Sequence, residues 1–154
     1  MLERIFGQDM ISQNKKLVYL VDDDHEDQEI FCDALELVDS EVELKMFDNG
    51  VDLMADLHSE SKLPDLIFLD LFMPMMNGEE CLQDIRDNER FDEVPVIIYS
   101  TVLDMTKIED LFAMGANRYL HKPSNFHNLI SALERTLNSV KRNKLGGTAI
   151  INVV

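Results

Sequence analysis

The sequence contains no tryptophan, only two cysteines and only four prolines among its 154 residues. Cys32 and Cys81 have no metal-ligand spacing and fall in separate helical patterns, so we expect both to be plain buried thiols. This cysteine usage suits a reducing compartment and predicts a cytoplasmic protein.

Basic residues are scarce, because 14 lysines and arginines face 30 aspartates and glutamates, which gives a formal net charge of −16. A field of this sign repels phosphate backbones and anionic membrane surfaces, so direct binding to nucleic acid or to a membrane is not expected. Long hydrophobic runs are also absent, since polar residues such as Arg4, Gln8 and Asp9 interrupt the N-terminal segment. The sequence therefore predicts neither a signal peptide nor a membrane span.

Hydrophobic residues make up 45% of the chain, enough for one sizeable core at this length. Short apolar runs alternate with helical patterns, which predicts an α/β fold with a doubly wound parallel sheet built from strand-helix-strand units. We expect five strands, at residues 17–21, 42–47, 66–69, 94–99 and 118–120. The predicted helices cover residues 26–38, 50–58, 78–88, 106–114 and 125–140.

We divide the chain into an N-terminal extension (residues 1–16), one domain (residues 17–140) and a C-terminal tail of unknown role (residues 141–154). Nothing after residue 140 is long enough for an output domain, so the domain is expected to stand alone. The tail carries Gly146 and Gly147, followed by a short apolar run. That run is compatible with disorder, with packing on the domain, or with addition to a sheet edge in a partner.

Carboxylates follow two of the predicted strands at the point where each strand ends. Asp22 and Asp23 come directly after the first strand, and Asp70 follows the third. The loops after parallel strands converge on one edge of an open sheet, so these three side chains are expected to lie close together. Their mutual repulsion implies a divalent cation, and a site of few carboxylates favours Mg²⁺, or Mn²⁺ in its place.

A calcium-binding loop and helix capping are two simpler explanations of these acidic residues. A calcium-binding loop is excluded, because no glycine occupies the turn position and no glutamate closes a loop of the required length. Capping of the first helix and interaction with its dipole account for Asp24, Glu26 and Asp27. The same explanation does not extend to Asp22 and Asp23, because consecutive carboxylates at a buried strand end are costly without a partner.

Two hydroxyl groups and a lysine are expected at the same edge, after the last two strands. Ser100 and Thr101 follow the fourth strand, and Lys122 and Pro123 follow the fifth. Together with the acidic residues, these groups would suit a phosphoryl group attached to Asp70. A metal ion would neutralise it on one side, and the ammonium of Lys122 and a hydroxyl group would donate to its other oxygens. Each residue alone has an ordinary structural explanation, but their joint order along the chain is specific.

Three stretches resemble the receiver domain of two-component response regulators, in particular the chemotaxis-regulator type. They are residues 20–24 (LVDDD), residues 68–78 (FLDLFMPMMNG) and residues 119–123 (YLHKP). The resemblance covers most of the chain, from about residue 17 to residue 140. It implies the flavodoxin-like fold, with strand order 2-1-3-4-5 and helices on both faces of the sheet.

The resemblance assigns the metal and acceptor positions residue by residue. Asp70 matches the phosphoacceptor, and Asp22 and Asp23 match the acidic pair that organises Mg²⁺. The backbone carbonyl of Phe72 completes the implied protein ligands.

The resemblance also assigns the residues that surround the phosphoryl group. Ser100 matches the hydroxyl position and Lys122 the lysine, while Tyr119 matches the aromatic residue whose rotamer accompanies switching. For Tyr119, a half-buried aromatic on an edge strand remains the alternative. Thr101 stands where many members carry alanine or glycine, so its methyl group narrows the phosphoryl path or its hydroxyl duplicates the role of Ser100.

Two apolar residues occupy the variable positions beside this site. Phe72 lies two residues beyond Asp70, and Val102 lies two residues beyond Ser100. Apolar side chains cannot orient an attacking water, so slow self-dephosphorylation is expected.

The implied function is a phosphorylation-driven switch. Asp70 accepts a phosphoryl group from a sensor histidine kinase or a histidine phosphotransfer protein, and a protein-binding surface changes for an unknown downstream protein. Self-phosphorylation and slow self-dephosphorylation are the only catalysis expected.

Three other classes of protein compete with this interpretation. A haloacid-dehalogenase-like phosphatase needs a second aspartate two residues after its nucleophile, where this chain has Phe72; Asp22 and Asp24 have that spacing, but the chain is short for that fold. An interaction module without phosphorylation chemistry is disfavoured because every site residue is present. A nucleotide-binding flavodoxin-like protein is weaker again, since no glycine-rich phosphate loop follows a strand.

Overall fold

The structure is a computed structural model that describes residues 15–59, 62–146 and 149–153. Of the predicted N-terminal extension, residues 1–14 lie outside these ranges. Within the described ranges, no helix is long and apolar enough to cross a membrane.

The described residues contain one sheet of six parallel strands in the order β2-β1-β3-β4-β5-β6. Val21 at the end of β1 pairs with Leu69 at the end of β3, so the residues that follow both strands emerge side by side. The strands are β1 (Leu17–Val21), β2 (Glu43–Phe47), β3 (Leu66–Leu69), β4 (Val96–Ser100), β5 (Arg118–His121) and β6 (Ala149–Ile151).

Each of the five described α-helices begins after an aspartate or asparagine whose side-chain oxygen accepts a backbone N–H of the first turn, which fixes where the helix starts. These capping residues are Asp24, Asn49, Asn77, Asp104 and Asn125. The predicted bounds of helices and of the first five strands agree with the observed ones to within about two residues. The helices are α1 (His25–Val38), α2 (Gly50–Leu57), α3 (Gly78–Arg86), α4 (Met105–Ala113) and α5 (Phe126–Arg142).

Helices cover both faces of the sheet, which explains why the central strands are continuous apolar runs. On one face, side chains such as Ile67 and Ile98 pack with residues of α2, α3 and α4. On the other face, Phe68 and Leu120 pack with residues of α1 and α5, including Phe31. The sheet is thus packed on both faces, and its C-terminal edge carries the polar residues.

The prediction of five strands is wrong, because residues 149–151 form a sixth strand that pairs in parallel with β5 of the same chain. The buried guanidinium of Arg118 donates to the backbone carbonyls of Ser139, Asn143 and Lys144, which gathers the end of α5 against β5. Gly146 follows with a φ of 43°, and a Cβ there would collide with Arg118. The chain is thereby turned back along the edge of β5.

We expect β6 to be held mainly by one side chain. Ile151 is 9% exposed and belongs to the core, whereas its neighbour Ile150 is 37% exposed. Ile151→Ala should lower the free energy of unfolding by about 2 kcal/mol, and Ile150→Ala should stay within about 0.5 kcal/mol of the native chain. Urea unfolding measures both, and equal effects would contradict the observed placement of β6.

Candidate functional site

The register of the central strands brings Asp22 and Asp70 together. The Asp70 N–H donates to the carbonyl of Val21 at 3.0 Å, which holds the residue after β3 against the end of β1. The Asp22 N–H donates to the carbonyl of Phe47 at 3.1 Å, which fixes the other side. Both carboxylates therefore lie at the C-terminal edge of the sheet, on backbone that is hydrogen-bonded to the neighbouring strands.

Three carboxylates form a cluster at this edge. Asp22, Asp23 and Asp70 each offer an oxygen, and these oxygens lie within 4.8 Å of one another. Asp22 and Asp70 are buried and Asp23 is exposed, so the cluster opens to solvent on one side. An all-carboxylate set with room for water suits a hard divalent cation.

Burial and neighbouring negative charge both disfavour the ionised form of Asp70. The pKa of Asp70 is raised from 3.8 to about 6, mainly by burial and also by the neighbouring charge of Asp22. The ammonium of Lys122 and the backbone N–H groups of Phe72 and Leu71 act in the opposite direction without cancelling the rise. A bound cation would relieve this cost.

Lys122 supplies the nearest cation. It follows β5 directly, and its backbone N–H donates to the carbonyl of Ser100 at 2.8 Å. Its Nζ lies 2.8 Å from Asp22 Oδ2, 3.1 Å from Asp27 Oδ2 and 3.6 Å from Asp70 Oδ2. Burial alone would lower the pKa of Lys122, but these carboxylates outweigh burial and raise it, so the ammonium stays protonated.

Ser100 and Tyr119 lie next to each other in the interior. Ser100 is wholly buried, and its Oγ accepts the N–H of Val102 at 3.2 Å. The Tyr119 hydroxyl donates to the carbonyl of Val102 and also interacts with the Ser100 hydroxyl. Burial raises the pKa of Tyr119, and the contact with Ser100 partly offsets this rise.

The alternative view of Tyr119 as a half-buried residue on an edge strand is wrong. Its side chain is fully buried, and β6 covers β5 on the outer side. The hydroxyl points into the loop after β4, where it contacts Val102. Tyr119 is therefore positioned to respond to movements of that loop, although its switching role stays a prediction.

The loop after β4 is also held from outside. Thr101 is exposed, and its carbonyl lies 3.0 Å from Nε2 of His121. The Nδ1 atom of His121 lies 3.1 Å from Oδ1 of Asn152, just after β6. His121 thus connects this loop with the sixth strand, a link that the sequence pattern did not indicate.

The loop after β3 presents Phe72 to solvent, with 62% of its surface exposed. The loop returns tightly to the sheet, because the Gly78 N–H donates to the carbonyl of Leu71 at 2.9 Å. A Cβ at Gly78 would collide with the carbonyl of Asp70, so only glycine allows this close approach. The assignment of the Phe72 carbonyl as a metal ligand stays a prediction.

Two residues of α1 contribute to the site in ways that the sequence pattern did not indicate. Asp24 is the N-cap as expected, but Asp27 does more than favour the helix dipole, since it accepts a hydrogen bond from Lys122. Gln28 is buried and donates to the Asp22 carbonyl and to Asp48 Oδ1 at 2.9 Å. Asp27 and Gln28 lie in the first helical turn after β1, at the same edge of the sheet as Asp22. This position after a strand was the sequence signal that could have indicated their place in the site.

The response regulator receiver domain family matches residues 18–134, which are most of the chain. The chain belongs to this family. It is therefore a receiver-domain signalling protein of two-component systems, in which response regulators are phosphorylated by histidine kinases. The resemblance inferred from the three sequence stretches is confirmed.

Relatives of this receiver include response regulators of different lengths. Response regulator Rcp1 of Synechocystis sp. is 27% identical over 128 residues, which cover 80% of this chain and 87% of Rcp1. The probable C4-dicarboxylate response regulator DctR of Bacillus subtilis is 33% identical over 118 residues, which cover 77% of this chain and 50% of DctR.

Solved structures share the fold of this receiver. The phosphorylated cyanobacterial phytochrome response regulator RcpA aligns with a TM-score of 0.74 and 25% identity, covering 84% of this chain and 96% of RcpA. The Mn²⁺-bound form of Rcp1 aligns with a TM-score of 0.70 and 24% identity, covering 90% of this chain and 99% of Rcp1. The flavodoxin-like receiver fold is thereby confirmed.

Proposed function

We propose that Asp70 accepts a phosphoryl group from a histidine kinase or a histidine phosphotransfer protein. The observation that carries this proposal is the position of the Asp70 carboxylate, within 4.8 Å of Asp22 and Asp23 oxygens and 3.6 Å from Lys122 Nζ. A carboxylate oxygen of Asp70 attacks the phosphorus of a phosphohistidine in line, and the phosphorus–nitrogen bond breaks. The imidazole nitrogen leaves with the bonding electron pair, and Lys122 stabilises negative charge on the transferred group.

We propose Mg²⁺, or Mn²⁺ in its place, as the cation of this site. Asp22, Asp23, Asp70 and the carbonyl of Phe72 would hold it, and a bound cation would offset the burial and the Asp22 charge that raise the pKa of Asp70. The Mn²⁺-bound form of the similarly folded Rcp1 supports a divalent ion. When bound, the ion would neutralise phosphoryl oxygens opposite Lys122.

The proposed switch runs through the loop after β4. A phosphoryl group on Asp70 accepts a hydrogen bond from Ser100 or Thr101, which draws the loop after β4 toward Asp70. The side chain of Tyr119 moves with this loop, because its hydroxyl is hydrogen-bonded to the Val102 carbonyl. The surface around this loop then binds a downstream protein. Free Cys32 and Cys81 fit a reducing compartment, so we also propose a cytoplasmic location.

The test of the acceptor is phosphoryl uptake from a small-molecule phosphodonor in the presence of Mg²⁺. The native chain should gain one phosphoryl group by intact mass, and Asp70→Asn should gain none, because an amide cannot form the acyl phosphate. Asp84→Asn on the exposed face of α3 removes the same charge and should behave like the native chain. Uptake by Asp70→Asn would overturn the assignment.

The lifetime of the phosphorylated form tests the predicted effect of Phe72 on self-dephosphorylation. Exposed Phe72 offers no group to orient water, so Phe72→Asn should hasten loss of the phosphoryl group by roughly tenfold, less than a full general base would give. Met75→Asn, on the same loop and 75% exposed, should leave the rate unchanged. Phosphate release after donor removal measures each rate, and loss within seconds from the native chain would refute slow self-dephosphorylation.

A further inference from the structure

Lys122 has a carboxylate partner outside the acidic cluster. Asp27, in the first turn of α1, accepts a hydrogen bond from Lys122 Nζ at 3.1 Å. Its side chain is 40% exposed, whereas that of Asp22 is fully buried. Asp27 therefore adds a negative charge on the solvent side of Lys122, away from the buried core.

The ammonium group of Lys122 donates hydrogen bonds to two of the three carboxylates around it. It has three N–H donors, and Asp22 and Asp27 lie within hydrogen-bonding distance at 2.8 and 3.1 Å. Asp70 lies at 3.6 Å, outside that distance, although it is the proposed acceptor. Lys122 thus donates hydrogen bonds to Asp22 and to Asp27 of α1, but not to Asp70.

We propose that Asp27 is a positioning residue that restrains Lys122, so that Asp27 competes with the incoming phosphoryl group for the ammonium charge. This inference rests on the proposed function of Asp70. A phosphoryl group needs the Lys122 charge as it reaches Asp70, and Asp27 opposes that transfer by attraction to the same ammonium. Asp27 also lines a cavity of about 490 Å³ beside Lys122.

The matched pair Asp27→Asn and Asp33→Asn tests this restraint. Asp33 lines the same cavity from α1 and is exposed, so its substitution removes the same charge without a contact to Lys122. With a small-molecule phosphodonor and Mg²⁺, Asp27→Asn should be phosphorylated about fivefold faster than the native chain. Asp33→Asn should stay near the native rate.

A double-mutant cycle with Lys122→Ala separates charge sharing from a structural effect. Phosphorylation of Lys122→Ala should be slow, and Asp27→Asn should bring no further change in that background because its partner is gone. Equal rates for Asp27→Asn and the native chain, equal acceleration by Asp33→Asn, or the same acceleration without Lys122 would each overturn the proposal. Absence of phosphoryl uptake by the native chain would instead overturn the proposed function, and this inference with it.

Discussion

Lys122→Ala is expected to lower the free energy of unfolding of the metal-free protein by roughly 3 kcal/mol, because it leaves buried charges without their partner. The Lys122 side chain is 11% exposed and contacts Asp22, which is fully buried. Asp27 and Asp70 lose the same cation, so three carboxylates repel one another without compensation. Urea unfolding in the presence of a chelator measures the loss.

Addition of Mg²⁺ should restore more stability to Lys122→Ala than to the native chain, because the ion binds the folded cluster and replaces the missing positive charge. Lys107→Ala is the control, since Lys107 forms an ion pair with Glu79 in which both side chains are more than one-third exposed. Its loss should cost less than about 1 kcal/mol. A Lys122→Ala variant as stable as Lys107→Ala would contradict the described geometry.

Asp70→Asn is expected to change stability in the opposite direction. The folded protein holds the pKa of Asp70 at about 6 instead of 3.8, mainly because of burial, so the ionised carboxylate destabilises the fold. The destabilisation by the ionised carboxylate is fully present above the folded pKa of about 6 and absent below the ordinary pKa of 3.8. The metal-free variant should therefore be about 1–2 kcal/mol more stable than the native chain at roughly pH 8, and this gain should disappear near about pH 4.

The measurement is urea unfolding at several pH values with a chelator present, with Asp84→Asn as the control. Asp84 lies on the exposed face of α3 outside the acidic cluster, and its substitution should leave stability nearly unchanged at every pH. Mg²⁺ should reduce the advantage of Asp70→Asn, because the native carboxylate gains a partner. If metal-free Asp70→Asn were less stable than the native chain, the prediction would be wrong, because the surroundings of Asp70 would then stabilise its ionised carboxylate.

The meeting of Asp22, Asp23 and Asp70 was predictable from sequence for a simple reason. Parallel strands deliver the residues that follow them to one edge, so strand ends alone place these carboxylates together. Lys122 was predictable on the same ground. The contact between Lys122 and Asp27 was not, because a carboxylate in a first helical turn is already explained by the helix dipole, and only side-chain geometry reveals its second partner.

The sixth strand could not be predicted because its sequence signal is short and its position depends on distant residues. Ala149–Ile151 has only three residues, and such a run fits a tail as well as a strand. Its place beside β5 depends on Arg118, whose guanidinium binds carbonyls at the end of α5. The burial of Tyr119 was missed for the same reason, since β5 becomes an interior strand only when β6 is present.

The sixth strand changes how the sheet resists pairing with other chains. Among the residues that the structure describes, the outward backbone groups of β5 are hydrogen-bonded to β6, so the sheet edge on that side is a strand of three residues. A short edge strand offers few unpaired backbone N–H and C=O groups to a strand of another chain, which limits edge-to-edge aggregation. At the opposite edge, the exposed charges of Glu43 and Lys45 on β2 have the same protective effect.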